Sequence, residues 1–277
     1  GLHLGLSGLH PLWQSGELAF VHATSTPYRD KRSHFDGQDL LEAGTSPDLP
    51  SAHLRDGWLN RMLQSVPGLQ SETAFAVGRQ EMRIMRGPAP VMDWSPDTAV
   101  NLSPQAQLLL EQVYHDDPLF MAAASEAMML SGLDLGDEMG SLAMSGDEMG
   151  SMMMADTPTL RGARLGEADR VADYAAERLR GATRIAAFSL TGWDTHKGQG
   201  KGFGRALARL ERSILRLKSG LGPEVWGKTT VFAMTEFGRT VAENGTGGTD
   251  HGTAGAMLVA GGAIRGGKIY GQWPGLE

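Results

Sequence analysis

The chain has 277 residues, of which 41% are hydrophobic, and a formal net charge of −7 from 25 basic and 32 acidic residues. This length and composition suit one large packed core, so we predict a single domain over residues 1–277. The lysines and arginines are scattered along an acidic chain, which argues against a nucleic-acid partner. The sequence has no cysteine, and this excludes disulfides, thiolate metal sites and cysteine nucleophiles.

The ends of the sequence lack the usual signals. No apolar run reaches the roughly 18 residues that a membrane-spanning helix needs, so we predict no membrane span in this chain. The opening text GLHLGLSGLHPLW has no initiator methionine and no basic region followed by a cleavage site, so no export signal is visible. The closing text GQWPGLE resembles the interior of a longer sequence. We therefore expect the domain to be incomplete at both ends.

The first third predicts short strands alternating with helices. Strands are expected at 18–23 (LAFVHA) and 73–78 (TAFAVG), and helices at 35–43 and 53–63. The proline-rich text RGPAPVMDWSP at 86–96 is expected to be irregular.

The middle of the chain combines a strong helix signal with a methionine-rich insert. SPQAQLLLEQVYHDD at 103–117 predicts a helix, because Ser103 can cap it and Pro104 fits its first turn. Nine of the fifteen methionines lie between 121 and 154, so we assign a low-complexity insert at about 121–156. Clustered thioethers could bind Cu(I), which would give a copper-handling role. Their irregular spacing and the lack of histidine favour a flexible or adaptable surface segment instead.

The last third predicts the fold class. A helix at 166–180, a strand at 184–190, a helix at 203–221 and a strand at 229–235 follow one another, and a further apolar run covers 254–262. Strand, long helix, strand is typical of a parallel crossover. We therefore predict an α/β fold with a mainly parallel sheet flanked by helices.

Three polar segments adjoin these last apolar runs. GWDTH follows the first strand, EFGRT follows the second, and GGTDHGTAG precedes the third run. Ligands of parallel sheets bind beyond the carboxyl ends of the strands, so these segments are expected to converge. Their charged side chains are those of Asp194, His196, Glu236, Arg239, Asp250 and His251. Imidazoles combined with carboxylates suit Zn²⁺ or Mn²⁺, which could activate water or polarise a phosphoryl or sulfuryl oxygen.

Structural alternatives exist for each of these residues. Asp194 could cap a turn, and His196 could be a solvated loop histidine. Glu236 closes an apolar strand and needs a partner, which could be a metal or the guanidinium of Arg239. The Asp-His pair at 250–251 could merely shape a glycine-rich turn.

A basic segment, RDKRSHFDGQD, precedes the helix predicted at 35–43. Arg29, Arg32 and His34 concentrate positive charge where an anionic ester could be received. The alternative is a solvated basic loop in which His34 caps the helix.

Four segments of this chain resemble a known family: GELAFVHATSTPYRDKRSHFDGQDLLEAG, GWDTH, TEFGRTVAENGTGGTDHG and GGKIYGQWPGL. They are similar to the exported bacterial family of domain of unknown function 1501, which is grouped with the alkaline phosphatase and sulfatase superfamily. The resemblance covers most of the chain except about 85–165. It implies the alkaline phosphatase/sulfatase-like fold, an exported (periplasmic or extracellular) protein and a divalent metal, Zn or Mn.

The resemblance also assigns roles to residues. It makes Asp194 and His196 the first metal-binding pair, Glu236 the acid of the second pair, and His251 a lone histidine ligand. Phe237 stands where the second pair would have its histidine, so one ligand is missing. The superfamily's nucleophile and N-terminal aspartate ligand would lie before Gly1, and no nucleophile is assigned here.

These observations lead to one functional hypothesis and two alternatives. The chain is expected to be a metal-dependent hydrolase or transferase acting on small phosphate or sulfate esters. The metal ligands would be Asp194, His196, Glu236 and His251, and the substrate would contact Arg29, Arg32, His34, Arg239 and Asp250. The first alternative is a non-catalytic metal-binding or interaction protein that keeps the fold, which Phe237 and the missing start favour. The second is copper handling through the methionine-rich insert.

Overall fold

The computed structural model describes residues 2–29, 33–46, 56–78, 82–95 and 166–275. The described residues 2–94 and 166–275 belong to one compact unit. The helix predicted at 103–117 and the methionine-rich insert lie outside the described residues.

In the N-terminal part of this unit, the residues that the structure describes form three helices and three strands. The helices are α1 (His10–Gln14), α2 (His34–Ala43) and α3 (Trp58–Leu63), and 3₁₀ turns cover Leu4–Leu9, Ser71–Thr73 and Arg83–Met85. The strands are β1 (Leu18–Thr24), β2 (Ala74–Val77) and β3 (Met92–Trp94). Strand β3 lies in the proline-rich text, so the expectation of a wholly irregular segment there was wrong. Its Met-Asp-Trp residues lie between Pro90 and Pro96, and none of them is a proline, so their N–H groups can pair with β2.

The C-terminal part contains two long helices and six strands. The helices are α4 (Glu167–Arg180) and α5 (Gln199–Trp226). The strands are β4 (Ile185–Phe188), β5 (Val231–Ala233), β6 (Gly238–Glu243), β7 (Thr249–Gly252), β8 (Gly255–Ala260) and β9 (Lys268–Tyr270). Helix α5 is interrupted near its end, where Gly222 has a positive φ of 68° and Pro223 follows it.

Helix α2 illustrates how local sequence sets an element's ends. The Ser33 hydroxyl accepts a hydrogen bond from the Asp36 N–H at 3.4 Å, so Ser33 is the N-cap. Gly44 closes the helix in the left-handed conformation, with φ of 60°. His34 is therefore the first helical residue, and the alternative in which His34 caps the helix was wrong.

The described strands form three sheets. A four-stranded sheet has the order β5-β8-β1-β9, in which β8 runs antiparallel to β1 and β5 while β9 is parallel to β1. A three-stranded sheet, β3-β2-β4, is entirely parallel. Strands β6 and β7 form an antiparallel hairpin.

The α/β class is confirmed, but the sheets are mixed and not mainly parallel. Strands β4 and β5, expected to be joined by a crossover within one sheet, lie in different sheets. Strand β8 is antiparallel to β5, and the β6–β7 hairpin, not a crossover helix, lies between these two strands in the chain.

The main core lies between helix α5, helix α4 and the four-stranded sheet. One face of α5 contributes Leu207, Ile214, Leu217, Leu221 and Trp226, which pack with Leu6, Leu9, Leu12, Leu18, Ala172, Ala175, Ala176, Leu258 and Ala260. The two helices approach so closely that a Cβ at Gly220 would lie 2.7 Å from the Cβ of Ala176. A second core cluster contains Leu59, Leu63, Ala74, Ala76, Met85 and Ala89. Among the described helices, no helix combines the length and hydropathy that crossing a bilayer requires.

Candidate metal centre

Three separate segments bring polar side chains together at one place. His34 comes from the first turn of α2, Asp194 and His196 from the loop after β4, and His251 from β7. The turn between β6 and β7 fixes the loop that carries Asp194 and His196. Within that turn Asn244 Nδ2 and Thr246 Oγ1 donate to the carbonyl of His196 at 3.0 and 2.6 Å.

The same turn requires glycine where it meets the loop. A Cβ at Gly248 would lie 2.3 Å from the carbonyl of His196 and 2.4 Å from that of Thr195. No side chain fits such an approach, so Gly248 allows the hairpin to hold the His196 loop directly by backbone contact.

The inner atoms of the cluster are the Nε2 atoms of the three histidines and the carboxylate oxygens of Asp194, and they lie close enough together to bind one ion. His196 Nε2 is 2.9 Å from His251 Nε2 and 2.9 Å from Asp194 Oδ1. His251 Nε2 is 3.1 Å from the same carboxylate oxygen, and His34 Nε2 is 3.3 Å from Asp194 Oδ2. Ligand atoms of His34, Asp194 and His251 all lie within 4.8 Å of one another. This group could hold a metal ion.

Two further carboxylates stand behind the imidazoles. Glu236 Oε1 is 2.5 Å from His34 Nδ1, and Asp250 Oδ1 is 3.1 Å from His196 Nδ1. An ionised carboxylate only accepts hydrogen bonds, so the proton of each neutral ring belongs on Nδ1. The lone pair of each Nε2 is then directed into the cluster, which is the arrangement that metal-binding histidines normally have.

The distances also suit a metal. Zinc bonds of about 2.0–2.2 Å in a tetrahedral site place the ligand atoms about 3.3–3.6 Å apart. The observed separations of 2.9–3.3 Å are slightly shorter than these. His34 Nε2 is buried and makes no hydrogen bond within the described part of the chain, although Asp194 Oδ2 lies near it. A cation between these atoms would satisfy the otherwise opposed lone pairs.

Asp194 is strongly acidic in this environment. Partial burial would raise its pKa, but hydrogen bonds from Arg239 and His251 and the charges of His196 and His34 lower the pKa of Asp194 to about 2. The carboxylate is therefore ionised at neutral pH and available as an anionic ligand.

Arg239 joins the cluster through Asp194 and not through Glu236. Its Nη1 donates to Asp194 Oδ1 at 2.7 Å, while Nε donates to Thr249 Oγ1 at 3.1 Å. The carboxylate of Glu236 has His34 as its partner. The alternative of a Glu236–Arg239 ion pair was therefore wrong.

Phe237 forms an apolar wall beside the imidazoles. Its ring is buried, and its centroid is 4.9 Å from that of His34 and 4.5 Å from that of His251. A Cβ at Gly37 would lie 3.1 Å from this ring, so α2 packs against the phenylalanine through a glycine. Phe237 thus positions two histidines by packing, at the place where the resemblance would have had a ligand.

The remaining residues predicted to bind substrate have different surroundings. Arg29 is exposed, and its Nη1 donates to the carbonyls of Thr26 and Tyr28 at 2.6 and 2.7 Å, so it braces its own loop. Arg32 lies outside the described residues. Asp250 accepts from Asn244 Nδ2 at 3.1 Å as well as contacting His196.

The sequence did not predict that His34 Nε2 would lie beside Asp194, or that Glu236 would contact the Nδ1 atom of His34. The motif RSHFDG placed His34 correctly at a helix start, but only as part of a basic segment. The role of Asn244 was also missed, although its Asn-Gly dipeptide is a turn signal.

The fold and the cluster define an α/β protein with a histidine-carboxylate centre. The family model described as protein of unknown function (DUF1501) matches residues 23–277, and the chain belongs to this family. Comparisons with curated proteins and with solved structures gave no match.

Proposed function

We propose that this chain is a metal-dependent hydrolase or transferase of phosphate or sulfate esters. The ion would be held by Asp194, His34, His196 and His251. The observation that carries this proposal is the convergence of imidazole nitrogens on Asp194, with Glu236 and Asp250 directing two of them inward.

This ligand set differs from the one expected from sequence. His34 replaces Glu236 as a direct ligand, and Glu236 orients His34 through its Nδ1. Nitrogen ligands with one carboxylate suit zinc or manganese better than calcium or magnesium, which favour oxygen ligands alone.

Bound zinc or manganese would supply Lewis-acid polarisation of an ester oxygen and an activated water. The protein's own residues would bind the ion, exclude solvent on the Phe237 side and neutralise the ester's charge with Arg239. The site is open to substrate, since the side chains of Asp194, His34 and His196 are 45%, 38% and 38% exposed. The side chain of His251, in contrast, is 11% exposed and lies at the back.

The proposal of ester chemistry is also supported by the resemblance to the alkaline phosphatase and sulfatase superfamily, and export of the protein is proposed on that ground alone.

A non-catalytic function is the second candidate, and a specific observation favours it. Phe237 packs against two of the imidazoles at the place of an expected second-pair ligand, which argues for one ion and not two. A single ion could serve binding or folding alone. The copper-handling hypothesis concerns residues outside those described and stays a prediction.

Metal content separates these candidates. Purified protein should contain close to one zinc or manganese ion per chain by elemental analysis, and His251→Ala should lose it. His10→Ala, an exposed histidine on α1, is the matched control and should keep the ion. Turnover of p-nitrophenyl phosphate or p-nitrophenyl sulfate that follows the metal content would support the enzyme. Bound metal without turnover of any ester would favour a non-catalytic metal-binding protein. Absence of metal would contradict the enzyme and leave a non-catalytic interaction protein that keeps the fold.

A further inference from the structure

We propose that Arg239 and the metal compete for Asp194, so that metal binding releases one edge of the guanidinium to receive a tetrahedral oxyanion. Binding at this centre would then be ordered, with the metal first and the phosphate or sulfate group second. The inference rests on the proposed metal site and adds the way in which its anion subsite is controlled.

The guanidinium of Arg239 is anchored independently of Asp194. Its Nε donates to the Thr249 hydroxyl at 3.1 Å, and its Nη2 donates to the Thr249 carbonyl. Thr249 is itself buried, and its hydroxyl donates to Gln199 Oε1 at 2.6 Å. Thr195 donates to the same amide oxygen at 2.9 Å, which completes the chain. Only the Nη1 corner therefore depends on Asp194.

Arg239 contacts Oδ1 of Asp194, which is also the carboxylate oxygen nearest to His196 Nε2 and His251 Nε2. Asp194 Oδ1 lies 2.7 Å from Arg239 Nη1, and it is also 2.9 Å from His196 Nε2 and 3.1 Å from His251 Nε2. A divalent ion bound by these two imidazoles would share Oδ1 with the guanidinium. The two cations repel each other at such a separation, and the metal withdraws the negative charge that holds Nη1.

The released corner has the chemistry of an oxyanion subsite. A guanidinium binds phosphate or sulfate oxygens through directed N–H groups, and it cannot lose its charge near neutral pH. The Thr249 anchors would keep Nη1 beside the metal centre after Asp194 has been taken. An anion at this point would contact the guanidinium and the ion together, and this would restore the charge balance lost when the metal bound.

The proposal predicts effects of opposite sign from one substitution. Arg239→Gln removes the competitor for Asp194 and should bind Mn²⁺ about tenfold more tightly than the wild-type chain. The same variant lacks the charged donor, so its metal-loaded form should bind inorganic phosphate at least tenfold more weakly. The wild-type chain should bind phosphate at least tenfold more tightly with Mn²⁺ than without it.

Isothermal titration calorimetry with Mn²⁺, and then with phosphate or sulfate as separate arms, tests these effects. The control is Arg216→Gln, since Arg216 pairs with Asp173 on helix α4, and this variant should behave as the wild-type chain. The anion that binds more tightly, phosphate or sulfate, is the one that the subsite prefers.

Arg239→Lys serves as a second variant if Arg239→Gln does not fold. A lysine cannot reach Thr249 and Asp194 with separate groups, so it should also bind Mn²⁺ more tightly.

Three results would overturn the inference. Unchanged Mn²⁺ affinity in both Arg239 variants would exclude competition for Asp194. Equal phosphate affinity with and without Mn²⁺ would exclude ordered binding, while the proposed metal site would stand. No Mn²⁺ binding by the wild-type chain would reject the metal site and this inference together. The titration of the wild-type chain with Mn²⁺ is enough to recognise this outcome.

Discussion

Charged residues are arranged differently at the α4–α5 surface and at the candidate metal centre. Between the helices, Arg212 Nε lies 3.2 Å from Asp169 Oδ1, and Arg216 binds both carboxylate oxygens of Asp173. Each arginine here has its own aspartate partner. The two ion pairs lie one helical turn apart. The partly exposed Arg216–Asp173 pair adds at most about 1 kcal/mol.

At the metal centre the charges do not divide into such pairs. Asp194 faces Arg239 and three imidazoles, and two of those imidazoles already donate to other carboxylates. The Nε2 atoms of His34 and His196, when these rings are neutral, thus direct lone pairs into the cluster. The comparison teaches that balanced pairs stabilise a fold, whereas converging ligand atoms form a group that could hold a metal ion.

The helical core should give the largest effect on stability and none on binding. Trp226 is 2% exposed and its indole N–H donates to Glu17 Oε1 at 3.0 Å, so Trp226→Ala should cost about 3–5 kcal/mol of unfolding free energy. Urea denaturation measures this, and metal content per folded chain should be unchanged. Trp273→Ala, at a site that is 61% exposed, is the control and should cost far less. Equal losses from both variants would show that Trp226 is not a core residue.

Asp194→Asn should break the metal centre and spare the core. The amide keeps the shape but loses the charge, so metal affinity should fall at least a hundredfold, which is about 2.7 kcal/mol. The melting temperature of the metal-free protein should change little, because the side chain is half exposed. Asp39→Asn, an exposed ion-pair partner of Arg83, should leave metal affinity unaltered. Retained affinity in Asp194→Asn would remove this residue from the ligands.

Glu236→Gln should have a smaller effect, because Glu236 acts through His34. Loss of the orienting carboxylate typically lowers metal affinity about 10- to 100-fold, or about 1.4–2.7 kcal/mol. Calorimetric titration with Mn²⁺ measures this, with the exposed Glu224→Gln as the control. A complete loss of the ion, equal to that in Asp194→Asn, would instead indicate that Glu236 is a direct ligand.

The smallest predicted effect is the pH-dependent stabilisation of the fold by Glu17, whose carboxylate is hydrogen-bonded outside the candidate metal centre. Burial tends to raise the pKa of Glu17, but hydrogen bonds from Lys218, Ser15 and Trp226 lower it below its ordinary value of 4.5. The folded-state pKa is depressed, so the stabilisation is present above pH 4.5 and is lost as the pH falls through the folded-state value.

Glu17→Gln should therefore cost about 1–2 kcal/mol at pH 7, and this difference should shrink as the pH falls below 4.5. Urea denaturation from pH 7 to pH 3 measures the difference, and the exposed Glu177→Gln should show none. A difference that is constant over this range would mean that the charge of Glu17 does not stabilise the fold.

Much of the secondary structure could be predicted because its causes are local. Apolar spacing located α4 and α5, and the strand at 18–23 and the helix at 35–43 are confirmed as β1 and α2 within one residue. The pairing of strands was not predicted correctly. Period and composition identify a strand, but they do not tell which neighbour its N–H groups will bind, and β4 and β5 went to different sheets.

By itself the sequence determined the α/β class, the family and the residues that carry charge beside the apolar strands, including Asp194, His196 and His251. Only the tertiary structure decided that His34 enters the cluster, that Glu236 lies behind it and that Arg239 binds Asp194. The physical reason is the distance along the sequence over which the interacting residues are separated. Helix periodicity and caps depend on residues a few positions apart, whereas His34 and Glu236 are 202 positions apart and meet only through packing. Which nitrogen faces the cluster then depends on that one 2.5 Å contact.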